Sequence, residues 1–163
     1  MIRPARAGDL AAIPDIETSA ATLFDDFGEA LPDGEAASPS DHWRAALAEE
    51  SLWVATDADD RPVGFIACVC YGQIMYVQEV DVSRDHQGQG LGRALMETAI
   101  AAARARGLTA VALTTNRQLP FNAPFYASLG FAERADPPPW LARIVADEER
   151  RGLPDRCAML LAL

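Results

Sequence analysis

Lysine is missing from this chain: all 14 basic residues in its 163 positions are arginine. That gap excludes a Walker-type phosphate loop, which ends in Gly-Lys-Ser/Thr and needs the lysine to reach the phosphates. Cysteine is scarce and odd in number (Cys68, Cys70, Cys157), which argues against a disulfide framework. The only histidines are His42 and His86, so the Cys-x-Cys pair lacks zinc-ligand spacing and no metal is expected. The cysteines read as reduced, small apolar residues, since neither histidine sits in a context that would activate a thiol. No apolar run approaches the roughly 20 residues of a membrane helix. Arg3, Arg6 and Asp9 occupy the place of a signal peptide's apolar core. The location expected is cytoplasmic, without a membrane partner. Positive charge is also short, 14 basic against 24 acidic residues for a net −10. Such a field repels nucleic-acid backbones and would favour a cationic partner, although by itself it reports only solubility.

Length and an ordinary apolar content of 50% predict one domain over 1–163 with a sizeable core. The pattern reads strand, helices, three strands, helix, strand, helix, strand, helix, strand. Asp9 is positioned to cap a helix over about 10–24, with Pro14 straining its first turns. Ser38-Pro-Ser-Asp41 resembles a capping box opening a helix to about Glu50. Leu52–Thr56, Val63–Tyr71 and Ile74–Val82 read as strands joined by polar turns. A helix from Leu91 is ended by Gly107, and Leu108–Thr115 reads as a buried strand. Pro137–Pro139 precedes an amphipathic helix over Trp140–Arg151, and Arg156–Leu163 closes as a strand. Alternating helices and strands imply an α/β or α+β sandwich around a mixed sheet.

The most informative run is Val82-Ser-Arg-Asp-His-Gln-Gly-Gln-Gly-Leu-Gly-Arg93, between a strand and a helix. Glycines there let several N–H groups point at one spot, and the helix start adds a partial positive charge. The spot suits a phosphate or pyrophosphate. A dinucleotide fingerprint does not fit, because the spacing is G-x-G-x-G and 108–115 carries no acid for a ribose. The pattern Q-x-x-G-x-G is met by Gln87, Gly90 and Gly92.

That pattern resembles the coenzyme A pyrophosphate motif of the GNAT-type N-acetyltransferase superfamily. Two further segments resemble the family in the same order. They are the opening Ile2-Arg-Pro-Ala-Arg-Ala-Gly-Asp-Leu10 and the run Asn122-Ala-Pro-Phe-Tyr-Ala-Ser-Leu-Gly-Phe131. The resemblance implies a mixed, mostly antiparallel sheet splayed at its middle, with helices on both faces and acetyl-CoA as cosubstrate. By position it implies that the Val80 N–H faces the thioester oxygen and that Val82 backbone groups hold the pantetheine amides. It further implies pyrophosphate on the N–H groups of Gln87, Gly88, Gln89, Gly90, Leu91, Gly92 and Arg93. Tyr126 matches the family tyrosine near the coenzyme sulfur, a general acid for the departing thiolate. Asn122 either caps its helix or bonds the pantetheine arm. Leu119 stands where many family members have an asparagine.

The general base is expected on the strand before the loop, Glu79 ahead of Asp81, unless these acids lie at a solvated edge. Tyr76 shares the face of Val80 by simple alternation, unless a bulge breaks the register. His86 reads as a solvent-facing turn residue. The reading that results is an N-acetyltransferase acting on a primary amine by direct transfer in a ternary complex. The alternatives are a non-catalytic acyl-CoA sensor of the same fold and an unrelated acidic interaction module. The acceptor is a small molecule or peptide amine, and the acids Asp25, Asp26, Glu29, Asp33, Glu35 and Asp41 suggest a cationic one. The oligomeric state is open, a homodimer being one state to test.

Overall fold

Among the described residues, short β-branched and apolar runs between polar turns build seven strands into one sheet. The computed structural model describes residues 1–163 apart from Ala30, Asp33, Gly34 and Ala36. The strands are β1 (Ile2–Pro4), β2 (Leu52–Thr56), β3 (Pro62–Tyr71), β4 (Ile74–Val82), β5 (Ala110–Asn116), β6 (Ala132–Glu133) and β7 (Arg156–Ala162). Their spatial order is β1-β2-β3-β4-β5-β7-β6. Every pairing is antiparallel except β4 with β5, which run parallel. The helices are α1 (Ile13–Ala21), α2 (Arg44–Ala48), α3 (Leu91–Ala105), α4 (Ala123–Ala127) and α5 (Pro139–Arg150).

Helices cover both faces of the sheet, as the resemblance implied. On one face α3 buries Leu95, Met96, Ala99, Ile100 and Ala103 against Ile66, Met75, Val77, Val111 and Met159. On the other, Ile13 and Ile16 of α1 and Ala46 of α2 pack with Trp43 on Val54, Phe65 and Ala67. Leu141 of α5 packs there on Tyr76, Ala112 and Ala158. Burying a large aliphatic side chain contributes about 1.5–3 kcal/mol, so these two layers hold the sheet rigid around whatever it positions.

The opening helix differs from expectation. It divides into a 3-10 segment at Ala7–Ala12, then α1, then a second 3-10 segment at Thr22–Phe27. Asp9 does not cap it as an N-cap residue: its carboxylate accepts from the Arg6 N–H at 2.7 Å and from the Arg3 guanidinium at 2.8 Å. Pro14 sits in the first turn of α1, where its missing N–H costs nothing, so it starts that helix rather than straining it. The Ser38–Asp41 capping box does not form either. The Ser38 N–H goes instead to Glu17 at 2.7 Å, turns close over 39–44, and α2 begins only at Arg44. Cys68 is buried, but Cys70 is exposed at the far end of β3, not packed as expected.

Candidate functional site

Two irregularities in β4 build the site. The first is a bulge: Ala67 of β3 pairs with Glu79, but the next residue, Cys68, pairs with Val77. Gln78 is therefore an extra residue, and the inside–outside alternation of β4 reverses across it. Met75 and Val77 before the bulge, and Val80 and Val82 after it, all pack on the α3 side. Glu79 and Asp81 consequently join Tyr76 on the opposite face. Simple alternation had put Tyr76 with Val80, and the bulge overturns that pairing.

The second irregularity is a parting of strands. β4 pairs with β5 only from Ile74 to Tyr76, against Ala110 to Ala112. Beyond that the two strands run on, to Val82 and Asn116, without pairing. A cavity of about 900 Å³ opens into the gap. Its wall includes Val80 and Val82, the turn at Gln87, Gly88, Gly90, Leu91, Gly92 and Arg93, and also Asn122, Tyr126 and Glu79. Of the catalytic and coenzyme-binding residues expected from the sequence, Gln89 alone lies outside this wall.

The glycine turn is shaped for an anion. Gly88 and Gly90 adopt φ of +75° and +80°, a region that side-chain-bearing residues rarely occupy. A Cβ at Gly90 would meet no protein atom within 4 Å, so the space beside it is open. No described residue accepts a hydrogen bond from the N–H groups of Gly88 through Arg93, which form a continuous row at the start of α3. Gln87 differs from expectation here. Its own N–H bonds Arg84 at 3.3 Å, and its Nε2 donates to the Val82 carbonyl at 2.9 Å, so it ties the turn to β4. The Arg93 guanidinium donates to Ser128 Oγ at 2.8 Å and lies 5.9 Å from the Phe125 ring centroid.

The opposite end of the cavity is acidic. Glu79 and Asp81 are half-buried there, with Glu17 of α1 and Glu148 of α5 buried beside them. Burial, and next the Glu17 carboxylate, push the Glu79 carboxyl up to about 7. Burial followed by the Glu79 and Glu17 charges raises Asp81 well above the ordinary carboxylate range. Tyr126 is also raised, by burial first and then by Glu79 and Asp81, so its hydroxyl keeps its proton at neutral pH. Glu79, Asp81 and Tyr126 thus share one electrostatic environment. The Asn122 side chain makes no capping bond to α4, which leaves its amide to the cavity.

Sequence reasoning missed Glu17, Glu148 and Arg156, which reach the cavity from α1, α5 and β7. Glu148 Oε2 accepts from Arg156 at 2.6 Å. Glu17 carried one usable signal, an acid among the apolar positions of an amphipathic helix. The acids between α1 and α2 divide differently from expectation. Glu29 and Glu35 line the cavity, whereas Asp25 and Asp41 do not. Asp26 pairs with Arg84, Glu35 pairs with Arg151 at 2.9 Å, and Asp33 lies outside the described residues. His86 is half-buried in the cavity wall rather than solvent-facing.

A model of the Acetyltransferase (GNAT) family matches residues 20–131, more than half of the chain. The chain belongs to that family. It is 30% identical over 109 residues to an uncharacterized N-acetyltransferase of Methanocaldococcus jannaschii, covering 63% of this chain and 48% of that one. It thus spans about half the length of that curated relative. Its fold is similar to that of the PaiA N-acetyltransferase of Thermoplasma acidophilum, solved with coenzyme A (TM-score 0.75, 13% identity, 100% and 98% of the two chains). It is also similar in fold to the ribosomal-protein-S18-alanine N-acetyltransferase of Escherichia coli (TM-score 0.72, 21% identity, 99% and 92%). Among the described residues, no helix is long and apolar enough to cross a membrane.

Proposed function

We propose that this protein transfers an acetyl group from acetyl-CoA to a primary amine, directly, with both substrates bound. The observation that carries the reading is the coincidence, in one cavity, of a row of unbonded N–H groups and a cluster of proton-handling side chains. Pyrophosphate would rest on the N–H groups from Gly88 to Arg93, where helix-start charge favours an anion. Pantetheine would enter the parting between β4 and β5, bonding Val82 backbone groups and the Asn122 amide. The Val80 N–H would donate to the thioester oxygen as it gains charge, a contribution of a few kcal/mol for an oxyanion donor.

Glu79 takes the proton of the acceptor ammonium. The freed nitrogen attacks the thioester carbonyl carbon, the C–S bond breaks, and the thiolate leaves with the Tyr126 proton. The nitrogen gives its second proton to the Tyr126 oxygen as the amide forms, so an N-acetyl amine and free coenzyme A result, and Glu79 passes its one proton to solvent. A base near 7 suits neutral operation, since a lower value would weaken proton abstraction and a higher one would leave the carboxyl protonated. No acyl-enzyme is required. Cys68 is buried, its thiol pushed up to about 12 by burial, far from the range of a nucleophile.

The test has two parts. Calorimetric titration should show coenzyme A binding to the native chain and its loss in a folded Gly90→Val variant. Acetyl-CoA-dependent thiol release should then appear with some member of an amine panel. Absent binding would remove the reading, and binding without turnover on any amine would leave an acyl-CoA sensor.

A further inference from the structure

Several large apolar side chains stand apart from the core. Leu23, Phe24, Leu31, Phe121 and Leu153 are half-buried, and none belongs to the packed clusters on either face of the sheet. All of them line the cavity. Phe24 and Phe121 meet there edge to face, their ring centroids 5.2 Å apart, and the exposed Phe27 backs Phe121 at 5.3 Å. An apolar surface that the fold gathers but does not cover is fitted to a ligand that covers it.

Its position puts that ligand on the acceptor side. The segment Thr22–Phe27 continues directly from α1, and Leu153 follows α5. Both helices pack on the face that carries Tyr76, Glu79 and Asp81, across the sheet from α3 and its phosphate turn. The segment is also held in place: Ser19 Oγ accepts the Arg84 N–H at 2.9 Å, and Asp26 pairs with the Arg84 guanidinium. Charge narrows the class further. Of the arginines in the described wall, Arg151 is paired with Glu35, Arg156 is paired with Glu148, and Arg93 lies at the phosphate end. A carboxylate on the acceptor would meet Glu17, Glu79 and Asp81 with no uncommitted arginine among the described residues to offset them.

We infer that the acceptor is a small amine with a bulky apolar body and no acid group, the body seated on Phe24 and Phe121 while the nitrogen reacts at Glu79. This rests on the acetyl-transfer reading above and supplies its substrate class. Burial of the apolar body does not depend on the charge of the nitrogen. It is therefore kept when the ammonium gives up its proton and on through the transition state, and interactions kept there raise kcat/KM. Phe24 and Phe121 are the specificity-determining residues, set apart from the groups that move protons.

The experiment compares 3-phenylpropylamine, propylamine and 4-aminobutyrate in the thiol-release assay, at fixed pH and ionic strength. The three nitrogens are closely similar in basicity, so differences report the rest of the molecule. The phenyl compound should exceed propylamine in kcat/KM by roughly tenfold or more, as expected for burying a ring in an apolar pocket, and 4-aminobutyrate should fall below propylamine. Phe24→Ala and Phe121→Ala should each narrow the first ratio, a quantity that a general loss of folded protein would not move. Equal kcat/KM for the phenyl compound and propylamine, a ratio unchanged in both variants, or 4-aminobutyrate as the best of the three overturns the inference while leaving acetyl transfer intact. Should no amine release thiol, the transfer reading falls, and calorimetry on the coenzyme A-loaded protein still decides this one. The phenyl compound must then bind more tightly than propylamine, and equal binding refutes it.

Discussion

Asp9 and Glu79 are both carboxylates held by the fold in confined surroundings, and they titrate in opposite directions. Burial would raise Asp9, but the bidentate Arg3 guanidinium and the Arg6 N–H outweigh it and lower the carboxyl below its usual range. Glu79 is raised first by burial and next by the Glu17 carboxylate, which outweighs Arg156, and rises to about 7. Asp9 is a structural acid whose charge is neutralised inside the protein. Glu79 is an acid left uncompensated, and an uncompensated group in a cavity has its natural partner in a ligand.

The contrast breaks most visibly in turnover. Glu79→Gln should lower kcat/KM by about 10²–10³-fold, the range for losing a general base, while folded Asp9→Asn keeps nearly native turnover. Tyr126→Phe should lower kcat by about 10²-fold with coenzyme A affinity almost unchanged, read by steady-state kinetics and calorimetry together. Comparable losses in Asp9→Asn would mean that the two acids do not differ in role.

Stability sharpens the same comparison with smaller effects. Asp9→Asn should destabilise the fold by about 2 kcal/mol in urea unfolding, less than a fully severed buried pair because Arg3 keeps Asp60 at 2.8 Å. A lowered carboxyl stabilises the native state above its unfolded value, so the Asp9 contribution is lost as pH falls through the folded value. A raised carboxyl does the reverse. The native state favours protonated Glu79, and that stabilisation is present below about 4.5 and lost as pH rises through about 7. Glu79→Gln should therefore be more stable than the native chain above pH 7, by roughly 1 kcal/mol, and show less advantage near pH 4.5. An equal difference at both pH values would mean that Glu79 is not held uncompensated.

Much of this arrangement was legible in the sequence, because local patterns carried it. The alternating and apolar runs marked the strands. The glycines from Gly88 to Gly92 marked the turn into α3, since only glycine readily accepts the φ that Gly88 and Gly90 adopt. What escaped depends on contacts distant in the chain. Nothing local announces that Cys68 skips Gln78 to pair with Val77, yet that single residue turns Glu79 and Asp81 away from α3. The missing capping box has such a cause: Glu17 claims the Ser38 N–H, across a separation that helix signals do not see. Glu148 was hidden in an ordinary charged stretch, Ala146-Asp-Glu-Glu-Arg150, and only the packing of α5 on β7 brings it to the cavity.

The pH dependence of kcat/KM, measured on the native chain and on Glu79→Gln with one amine acceptor that turns over, tests the central claim most directly. In the native enzyme the rate should climb as pH rises through about 7, where Glu79 loses its proton and becomes a competent base. In Glu79→Gln the residual rate should lack that limb and follow only the deprotonation of free amine at higher pH. A variant that kept the full limb near 7 would contradict the account, because the base would then be another group.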